Sequence, residues 1–339
     1  MTQESSAIPL TGGTTGDGGG NPPPVASVPH LRVAHIRWNV GDFVFKHLTM
    51  LFAIGVLSLV FLMGYEMYAG SALTISKFGW NFLVTSVWDP VQEQYGALPL
   101  IYGTLLSSFL ALLISLPLSL GVAIFLSELS PRWLERPLSF LVELLAAIPS
   151  IVYGLWGVFV LVPWLRVTVE PWLASHFGSL PFFKGPAYGF GMLAAGLILA
   201  VMVLPIIASI SRDVLQAIPN LQREAALGLG ATRWETTRVI LSTAKSGILG
   251  ATLLGLGRAV GETMAVTLVI GNRSEISASL FNPAYSMASV IANEFSEATS
   301  SMYTSALIEI AFVLFVMTII LNALARIIVW SVTRRFKTA

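Results

Sequence analysis

The run Gly255-Leu256-Gly257-Arg258-Ala259-Val260-Gly261-Glu262-Thr263-Met264 places two opposite charges in an otherwise apolar stretch. An ionised side chain in a membrane span costs about 2.5–3.5 kcal/mol on insertion scales, so such residues face a bundle interior or a water-filled cavity. Arg258 and Glu262 are four residues apart, which on a helix puts them on one face, one turn from each other. A guanidinium is a planar fork of donors that meets a phosphate-like oxyanion with two hydrogen bonds. On that chemistry Arg258 lines an anion pathway, and Glu262 holds it in place and offsets its charge until an anion arrives. The other reading is a buried ion pair with a purely structural role. Gly257 and Gly261 have G-x-x-x-G spacing, which lets another backbone approach closely. Two further acids, Glu143 and Glu309, fall in apolar runs read as the third and sixth spans. Each either pairs with Arg258, lines the same path or sits near an interface.

The elements that must position these charges are long apolar segments. Hydrophobic residues make up 55% of the chain and charged residues 11%, against about 25% charged in an average soluble domain. A helical span needs roughly 20 apolar residues, and six stretches meet that length, at about 47–69, 98–127, 138–163, 187–211, 246–271 and 305–330. The fold class this predicts is an all-α integral membrane protein with six transmembrane helices. Pro117, Pro149 and Pro205 fall inside the second, third and fourth of these stretches, where each would kink a helix.

Lysine and arginine fix the orientation. With the N-terminus in the cytoplasm, Arg32, Arg37, Lys46, Arg132, Arg136, Arg212, Arg223, Arg233, Arg238, Lys245, Arg334, Arg335 and Lys337 lie inside. Only Lys77, Arg166, Lys184 and Arg273 then lie outside. This asymmetry follows the positive-inside rule and puts both termini in the cytoplasm. Residues 1–40 carry Gly18-Gly19-Gly20 and Pro22-Pro23-Pro24 with no apolar core, which reads as a disordered cytoplasmic tail. The expected divisions are that tail, a first span with its external loop over 41–97, a transmembrane core over 98–330 and a cytoplasmic tail over 331–339.

Between the fourth and fifth spans lies a cytoplasmic loop near 219–245. Leu221, Ala225 and Leu229 repeat at i, i+4, i+8, so one face of a short helix is apolar. Gly230 is placed to take the left-handed conformation that ends it. Thr232 and Glu235 have the spacing of a capping box, which predicts a second short helix after the glycine. A half-apolar knob of this kind needs either a protein that covers it or an ordinary juxtamembrane position. The chain has no G-x-x-x-x-G-K-[ST] phosphate loop, no H-E-x-x-H and no G-x-S-x-G, and it has no cysteine. These absences exclude a Walker A site and the enzyme classes those motifs mark. A net charge of +1 gives no reason to invoke nucleic acid.

The loop resembles the "EAA" coupling loop of bacterial ABC-importer permeases through Glu224-Ala225-Ala226 and Gly230. A Leu-Pro pair usually follows in that family. Here the region reads Ile240-Leu241-Ser242-Thr243 without proline, from which a less rigid far end is expected. More distinctive strings are Tyr95-Gly96-Ala97-Leu98, Ile101-Tyr102-Gly103-Thr104, the run from Glu143 to Gly154, the run from Leu256 to Val266 and Ala292-Asn293-Glu294-Phe295. Together they resemble phosphate ABC-importer permeases of the PstC type over roughly residues 41 to 330. The resemblance implies the type I importer permease fold and a bacterial inner-membrane location. It implies a complex with a PstA-type permease, two copies of a PstB-type ATPase and a PstS-type phosphate-binding protein. It assigns ATPase coupling to Glu224, Ala225, Ala226 and Gly230, and phosphate passage to Arg258 and Glu262. It implies no cofactor and no catalysis in this chain, with ATP hydrolysed by the partner. A secondary anion transporter or channel also accounts for six spans with internal charges, though not for the knob. An intramembrane enzyme would need a nucleophile or metal partner for its acids.

Overall fold

The computed structural model describes residues 40–335. The tail expected over 1–40 lies outside them except for Val40, as does the end of the C-terminal tail. Two compact units divide at Gly55. The described part of the first, residues 41–55, is helical, with exposed apolar side chains such as Phe45 and Leu51. The second unit carries every other feature described below.

Among the described residues, six helices are long and apolar enough to cross a membrane, and no strand is formed. The first is α1 (Val40–Gly70). Then come α2 (Leu98–Leu129), whose last turn Phe125–Leu129 is π-helical, and a separate amphipathic helix α3 (Arg132–Ala147). The third spanning helix, α4 (Ser150–Phe177), contains π-helical turns at Gly157–Leu161 and Leu165–Val169 beside Pro163. After α5 (Met192–Gln216) the chain forms the short α6 (Asn220–Gly228) and the long α7 (Arg233–Val260). The short α8 (Met264–Val269) and α9 (Met287–Glu294) precede the last span, α10 (Ser301–Arg335).

The core sits around α5. Its small and branched residues Ala194, Ala195, Ile198, Leu199, Val203 and Ile207 are all buried. Small residues at the crossings let backbones close up: an added Cβ on Gly196 would strike Leu110 of α2, and one on Gly247 of α7 would strike Val214. Such packing is what holds helices together where water cannot drive association. A second cluster joins Phe82, Trp88 and Tyr95 to Tyr285, Met287 and Ile310.

Three boundaries differ from the sequence expectation. Pro149 does not kink a third span. It is the N-cap of α4, and Ile148 before it is extended at ψ 131°, as a residue ahead of proline tends to be. The apolar run 138–163 is therefore two elements, and Glu143 lies on α3, outside the six spans. The fifth span begins at Arg233 rather than near 246 and ends at Val260, because Gly261 breaks the helix ahead of Glu262. The pair of short helices expected in the loop near 219–245 is accordingly one short helix followed by the full length of α7.

Candidate functional site

Arg258 lies in the last turn of α7, and Glu262 lies in the break between α7 and α8. Arg258 Nη2 is 3.2 Å from a Glu262 carboxylate oxygen. The pair therefore forms across a helix end rather than along a continuous face. Its two members are unequally placed: the Glu262 side chain is 3% exposed and that of Arg258 is 47% exposed. Glu262 Oε1 also accepts the Ala265 backbone N–H at 3.3 Å. One carboxylate thus holds the guanidinium and ties down the start of α8.

The neighbouring string explains why α8 is fixed. An added Cβ on Gly154 would come within 3.0 Å of Ala265 Cα, and Ala265 and Val266 are fully enclosed. Tyr153 beside it donates its hydroxyl to Leu145 O at 2.7 Å. The run from Glu143 to Gly154 therefore backs the segment that carries Glu262. On the other side the space is open. Nothing lies within 4 Å of a Cβ placed on Gly257, and one on Gly261 meets only Gly257 O. The Arg258 side chain itself is about half exposed.

Glu143 and Glu309 are elsewhere. Arg212 Nη2 donates to Glu143 Oε1 at 2.9 Å and to Asp213 Oδ1 at 2.7 Å, so Glu143 fastens α3 to α5 and does not pair with Arg258. Gln216 adds a second tie by donating to Glu135 Oε1 at 2.8 Å. Glu309 is buried in α10, and its Oε2 has no hydrogen-bond partner among the described residues.

The knob that follows α5 takes the expected form at its turn. Gly230 has φ +84°. The Thr232 side chain accepts the Glu235 N–H at 3.3 Å, and Glu235 Oε2 accepts the Thr232 N–H at 2.8 Å, completing the capping box. Glu224 and Ala225 are exposed on α6 and Ala226 is half-buried, while Leu221, Leu227 and Leu229 leave their side chains largely uncovered. The far end is not looser for want of proline. Ile240 to Thr243 lie inside α7, which runs unbroken for 28 residues, because no missing N–H or ring clash interrupts it. One rod of about 42 Å thus joins the knob to Arg258.

Two groups lie outside the candidate residues read from the sequence, although Glu294 belongs to one of the distinctive strings. Arg223 pairs with Glu128 of α2, 95 residues away. Glu294 Oε2 accepts from Trp88 Nε1 at 2.8 Å and from the Tyr303 hydroxyl at 2.6 Å. It borders a polar cavity of about 510 Å³ that Asp89, Arg273, Glu275 and Tyr285 also line. Tyr95 stacks on Tyr303 there, and burial, with Glu93, Glu294 and Asp89 adding to it, pushes its phenol up to about 12. The motif Ile101-Tyr102-Gly103-Thr104 braces this end. Gly103 lies against the Tyr285 carbonyl, and Thr104 Oγ1 accepts the Met287 N–H at 2.9 Å.

Comparison with known proteins gives consistent matches. Residues 115–337 match the family described as binding-protein-dependent transport system inner membrane component. A protein of Mesorhizobium japonicum named phosphate transport system permease protein PstC is 47% identical over 304 residues, covering 88% of this chain and 93% of that one. The protein of the same name from Haemophilus influenzae is 48% identical over 293 residues, covering 85% of this chain and 93% of its own. Among solved structures, an inward-facing MetNI methionine ABC transporter aligns with a TM-score of 0.53 at 20% identity, over 68% of this chain and 93% of the matched one. That likeness identifies the type I ABC-importer permease fold.

Proposed function

The chain belongs to the binding-protein-dependent transport system inner membrane components, among their PstC-type permeases, and from that premise we propose that it carries inorganic phosphate inward through an ATP-driven importer. It is a multi-pass membrane protein of the ABC-importer type, and its partners are of that type. The finer reading has it in a bacterial inner membrane with both termini in the cytoplasm. It forms half of the translocation path with a PstA-type permease, is driven by two PstB-type ATPase subunits and receives phosphate from a PstS-type binding protein. The chain itself is non-catalytic. Residues 1–40 and 331–339 are cytoplasmic tails, 41–97 a first span with its external loop, and 98–330 the permease core.

The observation that carries the reading is the half-open Arg258, held by the buried Glu262 beside unfilled space at Gly257 and Gly261. A guanidinium with one side neutralised keeps donors for an oxyanion, without the full cost of an unpaired charge in low dielectric. Glu309 completes the set as a buried acid on the last span. Glu143 is reassigned from the path to positioning α3 against α5. Alternating access follows from the continuity of α7: closure of an ATPase dimer on Glu224, Ala225, Ala226 and Gly230 moves the rod that ends at Arg258.

Radiolabelled phosphate uptake into vesicles, with partner subunits omitted one at a time, tests the whole. Uptake is expected only when both permeases, the ATPase, ATP and the binding protein are present. Phosphate entry through the purified chain alone, driven by an ion gradient, would mean a secondary transporter instead.

A further inference from the structure

We infer that Arg223 is a positioning residue that clamps the docking helix α6 to α2 and α5, so that motion of the knob drives those spans together with α7. The inference rests on the importer reading above and assigns a second route of coupling to it.

The guanidinium is saturated. Nε donates to Glu128 Oε2 at 3.2 Å and Nη2 to Glu128 Oε1 at 2.8 Å. Nη2 also donates to Leu215 O at 2.8 Å, while Nη1 donates to Ile218 O at 2.7 Å and to Asn220 Oδ1 at 3.3 Å. Five contacts match the five N–H donors of an arginine. They reach three places: the last turn of α2, the carbonyls at and just after the end of α5, and the start of α6.

The two carbonyls lie at and just past the end of α5: Leu215 O, in its last turn, also accepts the Ile218 N–H at 3.3 Å, and Ile218 lies two residues beyond the helix. Glu128 lies in the π-helical turn that ends α2, a widened turn of the kind that marks functional sites. Its side chain is 9% exposed and that of Arg223 is 18% exposed. Water therefore screens the pair little, and the two-pronged contact fixes orientation as well as distance. Leu221 and Leu229 remain exposed on α6, so the clamp leaves the docking face free. A push on that face moves α7 through the Gly230 turn, and it moves α2 and α5 through Arg223.

The test uses the complete complex in vesicles and reads phosphate imported per ATP hydrolysed. Arg223→Lys keeps the charge, but its three donors cannot serve all of these acceptors. Glu128→Gln keeps the shape and removes the charge. Both variants should retain bound ATPase and basal hydrolysis. The import ratio should fall about tenfold for Arg223→Lys and about threefold for Glu128→Gln, following the charge-assisted bonds each loses. A wild-type ratio in both variants would overturn the clamp. Loss of the ATPase from either would also overturn it, placing Arg223 in the docking surface. Uptake without ATP by the unaltered complex would remove the importer reading itself, a result neither variant can imitate.

Discussion

Two arginine–glutamate pairs stand near opposite ends of α7, the helix that runs on from the knob at Gly230, and they are built in opposite ways. Arg223 directs five hydrogen bonds at Glu128, two helix-end carbonyls and Asn220. Arg258 meets Glu262 at 3.2 Å and leaves about half of its side chain exposed. A cation with every donor taken fixes a geometry and has no capacity for a ligand. A cation about half exposed, anchored by an acid that is itself held in place, keeps donors free for an anion. On the function proposed above, the contrast separates the transmission of force from the handling of substrate within one chain.

Alanine at each arginine sets the two ends furthest apart. Arg258→Ala should cut phosphate uptake about 100-fold, the scale of a lost charged hydrogen bond to substrate. Arg258→Ala leaves the buried Glu262 without its partner, and Arg223→Ala leaves Glu128 enclosed in the same way, a cost of about 3 kcal/mol in each case. The melting midpoint of the purified complex should therefore fall by several degrees for both. Uptake by the folded complexes is what separates them, and equal loss of uptake in the two variants would break the comparison.

Glu262 sharpens it, since that residue serves both ends of the argument. Glu262→Gln retains an oxygen for the Ala265 N–H but no longer balances Arg258. Uptake should fall about tenfold with little change in stability. Glu262→Ala removes the capping contact as well, leaving a buried N–H unsatisfied at about 1–3 kcal/mol, so stability should fall too. A midpoint for Glu262→Gln as low as that for Glu262→Ala would make the pair structural.

The two pairs were unequally visible in the sequence. Arg258 and Glu262 stand out because charges in an apolar run are costly, and four-residue spacing brings them together whether or not the helix is continuous. Arg223 and Glu128 do not, because polar residues in cytoplasmic loops are ordinary and nothing in one sequence joins positions 95 residues apart. The six spans were legible from hydropathy, but their ends were not. Hydropathy passes smoothly over Ile148-Pro149, where backbone sterics end one helix and start another. It also misses the polar first turns of α7, which the capping box at Thr232 identified. Local chemistry located the helix start more accurately than the apolar window did. Glu143 was misplaced for the same reason, since its apolar neighbours belong to an amphipathic helix outside the spans.

The smallest expected effect lies at the turn that links the two pairs. Gly230 has φ +84°, and nothing lies within 4 Å of the position a Cβ would take. Gly230→Ala therefore meets no steric neighbour, and its whole cost is that of the left-handed backbone, about 1–2 kcal/mol. Gly228, two residues earlier and equally uncrowded, carries no such φ, so Gly228→Ala should be neutral. The strain at position 230 can be relieved by unwinding the end of α6, which disturbs the docking face without touching Arg223 or Arg258. ATPase retained on the purified permease should fall about threefold to tenfold for Gly230→Ala alone, and import per ATP in the complexes that remain should hold near the unaltered value. If import per ATP falls as well, force passes mainly through the Gly230 turn into α7 and the clamp contributes little. If the ratio holds, the knob moves the spans through Arg223 even when its own hinge is strained.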